Sequence, residues 1–226
     1  MTISANGLAR MTDSTHISTL ATKQEVDEMI QQAKQCHFYA INGPASYFPY
    51  LVEQLKGSDT LPNFGCTRWS GADPSLVKAY AAKWAVSQGA KEIDMVMNIS
   101  FFKSGLFNEV VKDIRTIKDA IGNAKLKTII ECPFMSDDEI RKATALIIEG
   151  GADCVKTCTG TEGPCTIHHV EVIAGEARGR VWIKAAGGIR TLETVNRLLD
   201  LGVARFGINY KSAKKLYDEL LLKEHS

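Results

Sequence analysis

Short apolar runs rich in β-branched residues recur along the chain and predict parallel strands. Several runs are apolar at successive positions, which is typical of strands covered by helices on one side and by a barrel core on the other. The run at 63–67 is the weakest, and a first strand at 8–12 would bring Asp13 to its C-terminal end. The predicted strands are 8–12, 38–41, 63–67, 92–97, 127–132, 154–157, 181–185 and 204–207.

Segments with helical spacing of apolar residues lie between these runs, so strands and helices alternate. The predicted helices are 23–35, a short one around 51–55, 74–88, 107–120, 136–149, 166–177, 191–201 and 211–223. No stretch rich in Pro, Gly and Ser divides the chain. We therefore expect an α/β fold, a single (β/α)8 TIM barrel in which residues 1–226 form one domain. The alternative is an open doubly wound sheet, but no G-x-G-x-x-G follows an early strand.

Composition and charge narrow the class of partner. Lys and Arg number 27 against 26 Asp and Glu, which gives a formal net charge of +1 and no reason to expect nucleic acid or an anionic membrane. Six cysteines form no C-x-x-C pair and are expected to be reduced thiols. With no signal peptide and no membrane-spanning run, we expect a cytoplasmic protein that acts on a small molecule.

Candidate chemistry collects at the C-terminal ends of the predicted strands, where (β/α)8 barrels place their active sites. Asp13, Asp94, Lys156 and Lys184 lie there, together with Asn98. Adjacent barrel strands are about 5 Å apart, so two lysines ending consecutive strands would repel and lower one pKa towards neutrality. A neutral amine attacks carbonyl carbons. For either lysine alone a salt bridge is an equally good explanation, but the pair favours a Schiff-base enzyme that uses one of them.

Asp94 has two compatible interpretations, as counter-ion to Lys184 and as a proton relay during carbinolamine formation. Two glycine loops near the end of the chain indicate an anion site. Gly187 and Gly188 precede one helix and Gly207 precedes another, and barrels often bind phosphate after strands seven and eight. His168 and His169 make a poor metal site, because adjacent histidines on a helix point about 100° apart. We expect no metal and no cofactor.

Four segments together resemble the deoxyribose-phosphate aldolases. They are Glu92-Ile93-Asp94-Met95-Val96-Met97-Asn98, Leu126-Lys127-Thr128-Ile129-Ile130-Glu131, the run from Gly151 through Lys156 to Gly160, and Ile183-Lys184-Ala185-Ala186-Gly187-Gly188-Ile189-Arg190-Thr191. The resemblance extends in order from about Asp13 to Gly207. It implies a metal-independent class I aldolase that cleaves 2-deoxyribose 5-phosphate to glyceraldehyde 3-phosphate and acetaldehyde, and a possible homodimer.

Matched motif by motif, the resemblance implies a role for each site residue. Lys156 is similar to the Schiff-base lysine, Lys184 to the second lysine that tunes it, and Asp94 to the acid that transfers protons. The implied substrate-binding residues are Asp13, Thr15, Lys127, Thr157, Gly160, Gly187, Gly188, Gly207 and Asn209.

Three segments depart from the family pattern, one of them at 38–44, where the family often carries a cysteine and this chain has Ala40. The family usually has Gly-Thr-Ser-Ser or a close variant at the last strand, whereas this chain has Gly207-Ile208-Asn209-Tyr210. We expect Tyr210 to fill part of the anion pocket. The family's Gly-Phe-Pro-x-Gly loop would align with residues 67–71, so that Arg68 faces the substrate. The alternatives are therefore an aldolase for a non-phosphorylated or different sugar aldehyde, a non-catalytic sugar-phosphate-binding barrel, and a barrel epimerase or isomerase.

Overall fold

The structure is a computed structural model that describes residues 3–66 and 71–225. Within these residues eight parallel strands close into a barrel, each hydrogen-bonded to the next and the last to the first. The strands are β1 (Thr12–Thr15), β2 (Ala40–Asn42), β3 (Leu61–Cys66), β4 (Glu92–Val96), β5 (Lys125–Ile129), β6 (Cys154–Lys156), β7 (Trp182–Ala186) and β8 (Arg205–Asn209). The predicted (β/α)8 barrel is confirmed.

Helices follow the strands around the outside of the barrel. They are α1 (Ala5–Ala9), α2 (Lys23–Cys36), α3 (Phe48–Gln54), α4 (Ser75–Ser87), α5 (Ile99–Lys103), α6 (Phe107–Ala120), α7 (Asp137–Glu149), α8 (Ile167–Ala177), α9 (Leu192–Asp200) and α10 (Tyr210–Glu224), with short 3-10 turns at Ala45–Tyr47 and Cys132–Phe134. Capping boxes begin α2 at Thr22 and Glu25 and α7 at Ser136 and Glu139. Local sequence thus fixes where these helices start.

The first strand differs from the prediction. Leu8 lies in α1, which the Ser4 side chain caps by accepting a hydrogen bond from the Gly7 N–H. Its buried residues Ala5, Leu8 and Ala9 are spaced as on one face of a helix. The strand begins at Thr12, so Asp13 lies inside β1 and not after it. An apolar run this short does not distinguish a helix from a strand, and the prediction was wrong for that reason.

Side chains alternate between the helix-facing and interior sides of the barrel wall. Ile93 and Met95 on β4 belong to the apolar core under the helices, whereas Asp94 between them reaches lysines on β6 and β7. Much of the barrel interior is therefore charged and hydrogen-bonded. The apolar core between sheet and helices supports this polar interior from outside.

A buried ion pair also joins two of the outer helices. Lys78 on α4 and Asp113 on α6 are 0% and 1% exposed, and the lysine Nζ donates to an Asp113 carboxylate oxygen. The same Nζ donates to the Gly71 carbonyl at 2.8 Å. Removing one partner of such a pair leaves an uncompensated charge in a dry environment.

We predict that Lys78→Met lowers the free energy of unfolding by about 3–5 kcal/mol, because Asp113 loses its counter-charge. Denaturant unfolding measures this. Lys112→Met is the matched control, since the exposed Lys112 lies 3.8 Å from Glu109 on α6 and such a surface pair contributes about 0–1 kcal/mol. The double variant Lys78→Met with Asp113→Leu should recover most of the loss. Equal effects of Lys78→Met and Lys112→Met would contradict this account.

Candidate active site

A cavity of about 470 Å³ opens at the C-terminal ends of the strands. Its wall is built from strand ends and from the loops that follow them, as in barrel enzymes generally. The predicted site residues that line it are Thr15, Asp94, Lys156, Gly160, Gly187, Gly188, Gly207 and Asn209. Residues more than 190 positions apart in the chain meet here because each strand delivers its C-terminal end to the same rim.

Lys156 and Lys184 are directly opposite each other on neighbouring strands β6 and β7. The two Nζ atoms donate to the same oxygen, Oδ2 of Asp94, at 2.7 Å from Lys156 and 2.9 Å from Lys184. Lys156 is 7% exposed and lines the cavity, whereas Lys184 is 1% exposed and lies within the barrel wall. Of the two amines, Lys156 is the one that a substrate in the cavity can reach.

Asp94 is held from both of its carboxylate oxygens. Oδ1 accepts a hydrogen bond from the Asn63 amide at 3.0 Å and lies 3.1 Å from Lys127 Nζ. Oδ2 accepts hydrogen bonds from Lys156 on β6 and Lys184 on β7. Burial alone would raise the pKa of Asp94, but Lys127, Lys156 and Lys184 outweigh it and hold the pKa well below the usual range. Asp94 is a fixed carboxylate at the floor of the cavity.

A second carboxylate lies deeper in the barrel. Asp13 Oδ2 accepts from Lys184 and, at 2.7 Å, from Lys127, and its Oδ1 is 3.6 Å from Arg205. Burial would raise the pKa of Asp13, but these three cations lower it to about 2. Glu92 completes the network at 2.6 Å from Lys127.

The lysines of the network differ in how they hold protons. Burial would lower the pKa of Lys127, but Asp13, Asp94 and Glu92 raise it well above the ordinary value, so Lys127 is a permanent cation. The pKa of Lys184 is lowered, first by burial and then by Lys127 and Lys156, against the opposite pull of its two carboxylates. The lowered pKa that two adjacent lysines predict is thus found at Lys184.

The count of charges in the network also bears on the protonation of the lysine pair. The network contains four cationic side chains, Lys127, Lys156, Lys184 and Arg205, against the three carboxylates of Asp13, Glu92 and Asp94. An unpaired charge is expensive to keep in a dry interior. Loss of one proton from the Lys156–Lys184 pair brings the network to neutrality. The arrangement therefore favours one neutral amine at this point.

Glycine is required at two places around this network. Gly187 has φ +92°, and a Cβ there would lie 2.5 Å from the Cys158 sulfur, so the loops after β6 and β7 pack closely only without a side chain. A Cβ on Gly207 would be 2.8 Å from the Ala186 Cβ and 3.2 Å from the Lys184 Cε. Gly207 therefore leaves room for the Lys184 stem.

Three of the residues predicted to bind substrate lie outside the cavity lining and make other contacts. Asp13 and Lys127 are 0% exposed, do not line the cavity and bind each other and the rest of the charge network. Thr157 is equally buried, and its hydroxyl donates to the Ala186 carbonyl and accepts from the Ala186 N–H, both at 2.9 Å. Its role in the structure is to join β6 to β7. All three side chains are buried inside the protein, and a match of sequence motifs does not show which way a side chain points.

The segment after β8 also differs from expectation. The prediction that Tyr210 fills part of the anion pocket was wrong, since Tyr210 is 1% exposed and its hydroxyl donates to Glu28 on α2 at 3.3 Å. Asn209 caps α10 by accepting from the Lys211 N–H, and it lines the cavity. Because a helix starts at Tyr210, that side chain turns outwards to pack against α2. Asn98 likewise caps a helix, α5.

Several cavity residues were not predicted from the sequence. They are His16, Ser18, Asn42, Thr159, Thr161, Arg190 and Ser212. Arg190 and His16 both closely follow strands, where polar residues of a barrel face the active site, so the sequence carried a signal for both. Ser212 lies inside the predicted last helix and gives no such signal. Arg68, expected to face the substrate, lies outside the described residues.

His168 and the six cysteines have ordinary surroundings. His168 pairs with Asp137 at 2.9 Å on the surface, and among residues 3–66 and 71–225 no group of three or more His, Cys, Asp or Glu is arranged to hold a metal ion. The six cysteines are free thiols. Burial raises the pKa of Cys158 to about 12 and that of Cys165 to about 11, so neither is an activated thiol. Of the helices described, none has the length and apolar character needed to cross a bilayer.

Comparison with known proteins identifies the family. The sequence model of the DeoC/LacD family aldolases matches residues 5–207. The chain is 37% identical over 203 residues to a deoxyribose-phosphate aldolase of Staphylococcus carnosus, covering 88% of this chain and 91% of the relative. It is 34% identical over 214 residues to one from Carboxydothermus hydrogenoformans, covering 91% of this chain and 92% of the relative.

A solved structure gives the same answer. The tetrameric deoxyribose phosphate aldolase of Aeropyrum pernix is similar with a TM-score of 0.85 and 25% identity, over 99% of this chain and 94% of that one. With matching sequence, matching fold and paired lysines on β6 and β7, the chain belongs to the DeoC/LacD family of aldolases.

Proposed function

We propose that this aldolase cleaves 2-deoxyribose 5-phosphate to glyceraldehyde 3-phosphate and acetaldehyde through a Schiff base on Lys156. One observation carries the assignment of the nucleophile. Lys156 reaches the cavity, and its Nζ shares one Asp94 oxygen with the buried Lys184. The substrate is supported by the names of the relatives, which are deoxyribose-phosphate aldolases.

The first half of the reaction forms the imine. Once its proton has moved to Lys184, the Lys156 amine attacks the C1 aldehyde carbon of the open-chain sugar, giving a carbinolamine, and loss of its hydroxyl as water leaves a protonated imine. Lys184 and Asp94 lie next to Lys156 Nζ, so a proton can pass between the two amines by way of the shared carboxylate oxygen. The imine nitrogen carries a positive charge that the Asp94 carboxylate stabilises.

The second half breaks the carbon–carbon bond. A base removes the proton of the C3 hydroxyl, the C2–C3 bond breaks as that oxygen becomes an aldehyde, and the electron pair moves into the imine to give an enamine. Glyceraldehyde 3-phosphate is released, C2 of the enamine gains a proton, and water hydrolyses the resulting imine to acetaldehyde and free Lys156. Asp94, a carboxylate at the cavity floor, is the group placed to accept and return these protons through water.

The rim of the cavity suits the phosphate. Gly160, Gly187 and Gly188 line it together with Asn209 at the start of the 15-residue helix α10. Arg190 adds a cation, and Ser18 and Ser212 line the same cavity and bring two hydroxyls to it. These groups support the phosphorylated sugar over a neutral sugar aldehyde.

Two further expectations from the sequence, a cytoplasmic location and a homodimer, stay predictions. The free cysteines are compatible with the reducing cytoplasm. The tetrameric state of the Aeropyrum pernix relative supports self-association of this chain, but it does not favour a dimer in particular.

Borohydride reduction with acetaldehyde tests the nucleophile. We predict that the reduced adduct, an ethyl group on one lysine, maps to Lys156 by peptide mass spectrometry, because that amine lines the cavity. Lys156→Arg should abolish the adduct, and Lys184→Arg should leave its position unchanged. An adduct on Lys184, or none at all, would show that the mechanism is assigned wrongly.

Lys184 is tested by its effect on the pH profile. In Lys184→Met the amine of lowered pKa that shares the Asp94 oxygen with Lys156 is lost. We predict a fall in kcat/KM at neutral pH of about 100-fold or more, because Lys156 loses the group that exchanges protons with it, and a pH optimum that moves from its position in the unmodified protein. Lys184→Arg places a permanent cation beside Asp94 and should not restore the rate. If the profile of Lys184→Met stays where it is in the unmodified protein, Lys184 has no tuning role.

The substrate is tested by comparing 2-deoxyribose 5-phosphate with 2-deoxyribose in steady-state kinetics. Each charge-assisted hydrogen bond to phosphate contributes about 1.5–3 kcal/mol, so we predict that kcat/KM is at least about tenfold higher for the phosphate ester. A preference for the unphosphorylated sugar would favour the alternative of an aldolase for a neutral sugar aldehyde.

A further inference from the structure

His16 is a cavity residue for which the chemistry above has no use. It follows β1, is 6% exposed, and its backbone N–H donates to the Asn42 carbonyl at 2.9 Å. Its neighbour Thr15 is the strand partner of Asn209 on β8, and all three residues line the cavity. His16 therefore lies on the β8 side of the mouth, where α10 begins.

The imidazole is held by side chains of two helices. Its Nε2 is 3.3 Å from Glu25 Oε2 on α2, and its ring lies against that of Tyr210 on α10 with 5.0 Å between centroids. The other charged groups facing this cluster are Glu28, which accepts from the Tyr210 hydroxyl, and Lys211, whose Nζ is 3.7 Å from Glu25 Oε1. The side chain of Tyr210 thus supports the imidazole from behind.

Glu25 fixes which ring nitrogen carries hydrogen. Hydrogen bonds from the Thr22 backbone, and next from His16, lower the pKa of Glu25 to about 2, so it is a carboxylate at any working pH. A carboxylate only accepts hydrogen bonds, which means that Nε2 donates. Nδ1 is then the ring nitrogen left to interact with whatever occupies the cavity. Because Glu25 also belongs to the capping box of α2, its position is tied to the helix start.

We propose that His16 binds the phosphate end of the substrate, with Glu25 and Tyr210 as its positioning residues. The proposal rests on the proposed function and names a residue for its anion site. With Nε2 bound to Glu25, Nδ1 is the nitrogen that meets a phosphate oxygen in the cavity, and a hydrogen bond from Nδ1 to the dianion is charge-assisted. Arg190 and Ser212 line the same cavity and complete the set of donors.

The same assignment explains the departure at the end of β8. Tyr210 stands where the family pattern has a small hydroxyl residue, yet it leaves the cavity open because it packs against His16 and α2. The residue that replaces a phosphate-binding hydroxyl thereby supports another donor at the same rim. Positions 16 and 210 act together.

Two substitutions separate the functions of the two ring nitrogens. In His16→Asn the amide nitrogen stands near the place of Nδ1, and in His16→Gln it stands near the place of Nε2. The probes are 2-deoxyribitol 5-phosphate and 2-deoxyribitol, which lack the aldehyde and form no imine, and their affinities are measured by isothermal titration calorimetry. Thermal unfolding of both variants checks that the barrel is intact.

We expect His16→Gln to weaken binding of 2-deoxyribitol 5-phosphate by about tenfold or more, and His16→Asn to weaken it clearly less. Neither should change the affinity for 2-deoxyribitol. Equal weakening for both probes, unchanged phosphate binding in both variants, better retention in His16→Gln than in His16→Asn, or no binding of the phosphate probe to the unmodified protein would each overturn the proposal. Since the probes cannot react, a failure of borohydride trapping would refute the Schiff-base assignment and leave this result standing.

Discussion

The carboxylate of Asp94 is the interaction on which the rest of the site depends. It is buried inside a barrel, where an ion loses its hydration and survives only with counter-charges and donors around it. Lys127, Lys156, Lys184 and Asn63 supply them, from four different strands. Asp94 in turn permits two lysine amines to lie beside each other, since without a shared anion their repulsion would separate them.

Parallel strands provide the geometry for this network. Because consecutive strands enter the barrel at the same end, interior lysines of β5, β6 and β7 converge on Asp94 of β4, and Asp13 from β1 meets Lys184 across 171 positions of sequence. The resulting network is nearly balanced in charge, and its one excess positive charge lies at the pair of Lys156 and Lys184. A stable buried network and a reactive amine are therefore consequences of one arrangement, because the network borders the cavity at Lys156 and Asp94.

The mouth of the barrel combines two kinds of chemical group. Lys156 at the end of β6 brings an amine to the mouth. The glycine loops after β6 and β7, Arg190, the start of α10 and His16 after β1 line the same mouth with hydrogen-bond donors. Outside the barrel, the buried pair of Lys78 and Asp113 shows that the same rule of paired burial applies between the helices.

The sequence by itself determined the fold class, most element positions and the identity of the paired lysines. Helix and strand periods are local properties, and capping residues such as Ser136 mark helix starts within a few positions. Adjacent lysine-bearing strands are equally visible, because strand order follows chain order in a (β/α)8 barrel. The family pattern added the expected roles of Asp94, Lys156 and Lys184.

Only the tertiary structure decided which residues share a surface. It turned the short run around Leu8 into a helix, buried Asp13, Lys127 and Thr157 away from the cavity, and directed Tyr210 outwards to pack on α2. It also placed the lowered pKa on Lys184, because that shift sums burial and several charges from distant strands. Each of these outcomes depends on contacts between residues far apart in the chain. No local pattern encodes such contacts, which is why the lysines could be named from the sequence while their surroundings could not.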